Sequence, residues 1–458
     1  MLDRCAKMII GRQLYGHLPR VDLPPPLTTA RKAQSKKLED AGRSANLARM
    51  QIRILGCLAA TALTALAPGL PARAAEPRFV QDRLAVGLWV DPPADQQTDA
   101  RFAEIADANF TFLIGNFGAT TPAAVSNQVR LCAQHGLKTI VAMAGLPPER
   151  LPDDPACWGY VLADEPGPGA FAGLRQTVDA LRQARPGKLA YINLLPNYAP
   201  AWALGTSNYV EHVARFLREV RPDVLSMDHY PLFSPEADGR EGYCQNLEAM
   251  RQESLAGGVP FWNFFNTMPY GPHTDPTEAQ LRWQINASLA YGAKGVMYFC
   301  YWTPAGAEFP KGGAILRRDG TRTRHYDEAR RLNGRLKHLG PTLMQLTSTG
   351  VYRVRPKDDP AAALKGSPLR ALTAGDYLVG AFRHTDGRRA VLLQNYQFAY
   401  SAWPTVEFDA APGTVLEVSP FTGEAAPVVD ASPDMPGLQL PLDAGEARLF
   451  LLPAKPGN

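Results

Sequence analysis

From about residue 83 the chain alternates short apolar runs with stretches whose apolar residues recur at helical spacing. The runs lie at 84–90, 110–114, 139–143, 159–163, 189–195, 224–227, 260–265 and 295–301, and each stops at a turn or a polar cluster. Continuous apolar runs of this length read as strands buried on both faces. Between them, Phe171, Leu174, Val178 and Leu181 fall on one helical face. Tyr209, Val213, Phe216 and Val220 do the same, as do Leu281, Ile285 and Leu289. The link from the third run to the fourth is Pro-rich and has room for a short helix at most. Eight strands alternating with helices over about 220 residues predict a (β/α)8 TIM barrel. A doubly wound open sheet is the alternative. Such sheets carry a Gly-rich phosphate turn after the first strand, and here that turn is Asp91-Pro92-Pro93.

A long amphipathic segment at 327–346 follows the eighth run, and then the texture changes. Short alternating segments at 351–354, 377–382, 390–395, 406–408, 415–418, 438–442 and 447–452 are punctuated by Gly, Pro and Asp. They predict a C-terminal antiparallel β-sandwich packed behind the barrel. The expected organisation is therefore a barrel over 80–346 and a sandwich over 347–458.

Charge alters the picture mainly at the N-terminus. Residues 1–49 hold +6 of the chain's net +4, and Arg53 and Arg73 add two more, so the part from Ala75 onward is −4. That balance argues against nucleic acid or an anionic membrane as partner. Met50 to Ala74 has the pattern of a secretory signal: Arg53, an apolar core at 58–66 and the small-residue site Ala72-Arg73-Ala74. The core is too short to span a bilayer. Residues 1–49 then read as a probable non-native N-terminal extension, 50–74 as a signal peptide, and the mature protein as periplasmic or secreted, without membrane insertion. Cys132, Cys157, Cys244 and Cys300 remain after cleavage, none at metal-ligand spacing. An oxidising compartment permits disulfides among them, and sequence does not choose a pairing.

The candidate chemistry gathers at the carboxyl ends of the predicted strands, where parallel barrels place their active sites. The fourth run ends Ala163-Asp164-Glu165-Pro166-Gly167, two adjacent carboxylates closing a buried strand. The other strand ends contribute Asp91, Asn116, Asn193, Asp228, His229, Tyr230, Trp262, Asn263 and Trp302. The set holds no Lys for Schiff-base chemistry, no phosphate cradle and no metal cluster, so no cofactor or metal is implied. Acids and amides beside aromatic platforms suit a carbohydrate substrate. Glycosidic cleavage needs one carboxyl to protonate the leaving oxygen and a second to attack or to activate water. Burial at a strand end raises a carboxyl pKa, which fits Glu165 as the acid. The structural alternative is that Asp164-Glu165 only caps the following helix.

These residues resemble a family pattern. Asp164-Glu165-Pro166 is similar to the Asn-Glu or Asn-Glu-Pro that ends strand 4 in clan A glycoside hydrolases. Asp228-His229-Tyr230-Pro231 resembles their strand 6 end, and Trp302 their strand 8 Trp. The stretch from Leu289 to Trp302 resembles the approach to strand 8 in family 42. The resemblance implies a barrel hydrolase with Glu165 as general acid/base. It also implies a Glu at the end of strand 7, where this chain reads Pro260-Phe261-Trp262-Asn263-Phe264-Phe265-Asn266, with no acid. Asp275 and Glu278 are the nearest that follow. Asp228 is then the expected nucleophile or base, ahead of Glu241 and Glu248. Asp164 offers another route, because adjacent Asp-Glu pairs on strand 4 occur in hydrolases that use the substrate's acetamido group as nucleophile. The competing expectation is a carbohydrate-binding barrel without catalysis.

Overall fold

The computed structural model describes residues 78–233, 237–307, 309, 313–430 and 432–455. The expected extension (1–49) and signal peptide (50–74) lie outside them. The apolar runs form eight parallel strands: β1 (Ala85–Leu88), β2 (Phe112–Gly115), β3 (Lys138–Ala142), β4 (Cys157–Asp164), β5 (Leu189–Asn193), β6 (Leu225–Asp228), β7 (Phe261–Asn266) and β8 (Gly295–Phe299). Their order is β5-β4-β3-β2-β1-β8-β7-β6. The Leu194 amide donates to the Ser226 carbonyl at 2.8 Å, and a Leu194–Met227 bridge joins the two edges. This closes a (β/α)8 barrel, and the doubly wound alternative is excluded.

The helices are α1 (Asp99–Asp107), α2 (Pro122–Gln134), α3 (Phe171–Ala184), α4 (Ala201–Leu204), α5 (Tyr209–Val220), α6 (Arg240–Gly257), α7 (Glu278–Ala290) and α8 (Arg324–Met344). Local chemistry sets their ends. Thr277 and Gln280 form a reciprocal capping box at the start of α7. The Pro-rich link between β3 and β4 holds only a 3-10 turn, Pro148–Arg150.

Large aromatics fill the lower barrel. Phe112, Trp158, Tyr191 and Trp262 pack with ring centroids 5.3–6.2 Å apart. Two strand glycines make room for them. A Cβ on Gly87 would lie 2.3 Å from the Phe112 ring, and one on Gly295 2.5 Å from Trp262. The result is a filled floor.

The sandwich strands are β9 (Leu346–Val354), β10 (Leu369–Leu372), β11 (Tyr377–His384), β12 (Arg389–Asn395), β13 (Thr405–Phe408), β14 (Leu416–Val418), β15 (Ala425–Pro427), β16 (Leu438–Gln439) and β17 (Ala447–Leu452). Six form one sheet, β15-β14-β17-β12-β11-β9, and three the other, β10-β13-β16. The larger sheet packs on α7. Gln394 donates to the Trp283 carbonyl at 3.0 Å and Asn286 to the Gly445 carbonyl at 2.9 Å. At Gly380 the strand lies so close that a Cβ would meet the Ala290 carbonyl at 2.4 Å. The four cysteines are buried free thiols.

Candidate active site

On a regular strand two adjacent side chains point to opposite faces. In β4 both acids nevertheless reach the barrel mouth. The register between β4 and β5 slips between Val161 and Ala163, which sets Asp164 beside the inward-facing Asn193. Glu165 then adopts a left-handed backbone (φ 50°), with its amide donating to the Asn193 carbonyl at 2.8 Å. A bulge and a turned backbone together aim two consecutive carboxyls at one place.

Asn193 organises them. Its Nδ2 donates to Asp228 Oδ1 at 2.8 Å and to Asp164 Oδ1 at 3.3 Å. Its Oδ1 accepts from the Ser226 hydroxyl at 3.0 Å, and the Tyr191 hydroxyl lies 2.9 Å from Ser226 Oγ. With Ser226 donating to Asn193, Tyr191 must donate to Ser226. The chain Tyr191→Ser226→Asn193 therefore fixes the amide with its NH2 toward the two acids. Tyr191 and Ser226 were not among the expected site residues. Each lies two positions before one that was, Asn193 and Asp228, and so on the same strand face. Strand periodicity would have found them.

Burial raises the pKa of Asp164, Glu165 and Asp228 alike, Glu165 most clearly. Glu165 is pushed up further by Asp228 and Asp164, and among the described residues no cation forms an ion pair with any of the three. Asp164 is exposed to solvent.

Asp228, the expected nucleophile or base, ends β6 near Glu165 and is held by Asn193 on the strand between.

Tyr230 lies near both Asp228 and Glu165 and packs edge-on against Tyr270 at 5.7 Å and against Phe299 at 5.2 Å. Tyr270, in the loop after β7, is near the same acids and was missed because strand ends alone were considered. Together these rings make an aromatic wall at the mouth. Asn116 is half-buried in the loop after β2.

Several expected sugar contacts are structural instead. Trp262 is fully buried in the barrel floor, with Nε1 donating to Gln81 at 2.9 Å. Asn263 points the other way and donates to Tyr243 at 2.6 Å and Ser288 at 3.0 Å. Asp91 is buried, and both its oxygens are taken by Phe117 and Gly118 amides and by Gln97 and Gln128. Burial raises its pKa and those bonds oppose the rise. His229 bonds Asn246 at 3.0 Å, and burial lowers its pKa to about 4, so it is neutral. Trp302 is buried, with the Arg101 guanidinium 5.3 Å from its ring and Gly320 against its edge. Trp262→Ala is expected to cost about 3–5 kcal/mol of stability with no selective rise in KM. Chemical denaturation beside steady-state kinetics checks this, and a raised KM at unchanged stability would return Trp262 to the substrate.

The family 42 glycoside hydrolase model, described as beta-galactosidase, matches residues 174–339. That stretch contains Asn193 and Asp228 and begins after Glu165. A family 42 β-galactosidase from G. stearothermophilus is similar in structure: TM-score 0.55, 10% identity, 81% of this chain and 98% of that one. The β-galactosidase from Bacillus circulans sp. alkalophilus gives 0.53, 10%, 81% and 99%. For that of the psychrophilic Marinomonas ef1 the values are 0.43, 14% and 56%, and the match spans 60% of that protein. No curated protein sequence matches. At these identities the structures establish the fold, a (β/α)8 barrel. Over the segment from α3 to α8 the chain is similar to family 42 glycoside hydrolases.

Proposed function

We propose that the chain cleaves O-glycosidic bonds of an oligo- or polysaccharide, with Glu165 as the general acid. The observation that carries this reading is the cluster of three carboxyls at the strand ends, in which burial and the neighbouring acids raise the Glu165 pKa. A raised carboxyl holds the proton that a poor leaving oxygen needs. Asp228 raises and positions the acid. Asp164, solvent-facing, meets the sugar, and Tyr230 and Tyr270 stack on its apolar face. Release of reducing sugar from a broad glycan panel tests the assignment. Binding without release would favour the rival reading, a carbohydrate-binding barrel, which the acid-free β7 supports.

We also propose that the enzyme works outside the cytoplasm. Protein recovered from periplasm or medium should begin at Ala75; an uncleaved chain confined to the cytoplasm would sink the idea.

A further inference from the structure

A glycosidase needs more than an acid. Something must attack the anomeric carbon from the face opposite the leaving group, either a nucleophile or a water held by a base. The acids described at the mouth all lie on one side. Asp164 and Glu165 close β4, Asp228 closes β6, and both aspartates hydrogen-bond one nitrogen of Asn193 on the strand between. The remaining wall is aromatic. β7 turns Trp262 and Phe264 inward, Phe264 packing on Trp89 at 5.3 Å, and Phe299 of β8 lies against Tyr230 and Tyr270. Asn266, ending β7, spends its Nδ2 on the Met268 carbonyl at 3.0 Å and the Thr274 carbonyl at 3.4 Å. Among the described residues, the first acid after β7 is Asp275, and its oxygens are paired with Arg324 and His325 of α8.

We propose that the substrate brings its own nucleophile, a 2-acetamido group on the sugar being cleaved, and that Asp164 orients it. This rests on the hydrolase reading of the same site. Asp164 suits the task. It is solvent-exposed and held through Oδ1 by Asn193, and its Oδ2 has no partner among the described residues and is available to accept the acetamido N–H. In the first step the acetamido carbonyl oxygen bonds to C1 as the C1–O bond to the leaving group breaks. The Glu165 proton passes to that leaving oxygen. The positive charge that develops on the ring-closed acetamido nitrogen is balanced by Asp164. In the second step water adds to C1 and gives a proton to the Glu165 carboxylate. The bond from C1 to the acetamido oxygen breaks and the acetamido group is restored. The configuration at C1 is retained, and the sum is glycoside plus water.

The test uses the full-length purified protein and p-nitrophenyl glycosides of N-acetylglucosamine and N-acetylgalactosamine, in both anomers, beside the parent glucosides and galactosides. An internal nucleophile predicts kcat/KM higher by about 10³-fold or more for one of the acetamido sugars. It also predicts a progressive fall in kcat as the acetamido methyl is fluorinated, and a loss of kcat in Asp164→Asn. Equal or better cleavage of the 2-hydroxy sugars overturns the proposal and leaves the hydrolase standing. So does a covalent adduct of a 2-deoxy-2-fluoro glycoside on a protein carboxylate, including Glu236 or Glu308, which lie outside the described residues. Failure to cleave any glycoside overturns the hydrolase reading and this proposal with it.

Discussion

Glu165→Gln is expected to lower kcat on unactivated glycosides by about 10³-fold or more while leaving sugar binding near its original strength. The amide keeps the shape of the carboxyl but has no acidic proton for the leaving oxygen. Nitrophenyl glycosides, whose leaving groups need little protonation, should retain much more of their rate. The same variant carries a stability signature. A carboxyl whose folded pKa lies above its unfolded value binds its proton more tightly in the fold. Its stabilisation is complete below the unfolded pKa, near about 4, and is lost as pH rises through the folded value. That value is about 6 for Asp164 and about 7 for Asp228, and Glu165 is also raised. Wild-type Tm should therefore fall between about pH 5 and pH 8. Glu165→Gln removes one acid from the cluster, so its Tm should exceed wild type at the alkaline end and converge with it at the acid end. Thermal melts across pH, beside kcat for activated and unactivated substrates, read both effects. A variant that keeps its rate on unactivated glycosides would end the assignment of Glu165.

Asn193→Asp is expected to be among the most destabilising isosteric changes in the barrel. The native amide is a donor to Asp164 and Asp228 because Ser226 occupies its oxygen. Substitution keeps the acceptor for Ser226 and replaces the donor with a third buried acid between two others. An uncompensated buried charge costs about 3–5 kcal/mol. The cost should appear at about pH 8 and shrink toward about pH 5, where protonation returns a donor to the site. Asn193→Ala serves as the control, since it removes the donor without adding charge and should show a flatter pH dependence. Urea unfolding at the two pH values measures it. A loss for Asn193→Asp that does not change with pH would mean that packing, not charge, is what the site requires of this residue.

The barrel was legible because its physics is local. Each strand buries both faces and so reads as an apolar run, and each helix shows its own period. Glu165 was legible for the same reason, as an acid at the end of such a run. What sequence could not show was which way a side chain points once a strand departs from regularity. The slip between Val161 and Ala163 and the turned backbone at Glu165 leave no periodic trace, yet they decide that both acids face the mouth. Trp262 and Asn263 were misplaced for a related reason. A residue on β7 is inward or outward by parity and low or high by register, and its type reveals neither. Asp91 shows a further limit, since Gln128 and the Phe117 and Gly118 amides that donate to it are distant in sequence. In the sandwich, β10 and β15 escaped notice, the latter because it is exposed along its length and shows no alternation.

The aromatic floor has a consequence for access. Phe112, Trp158, Tyr191 and Trp262 close the lower end of the barrel, so a substrate of the proposed hydrolase would reach Glu165 only from the carboxyl ends of the strands.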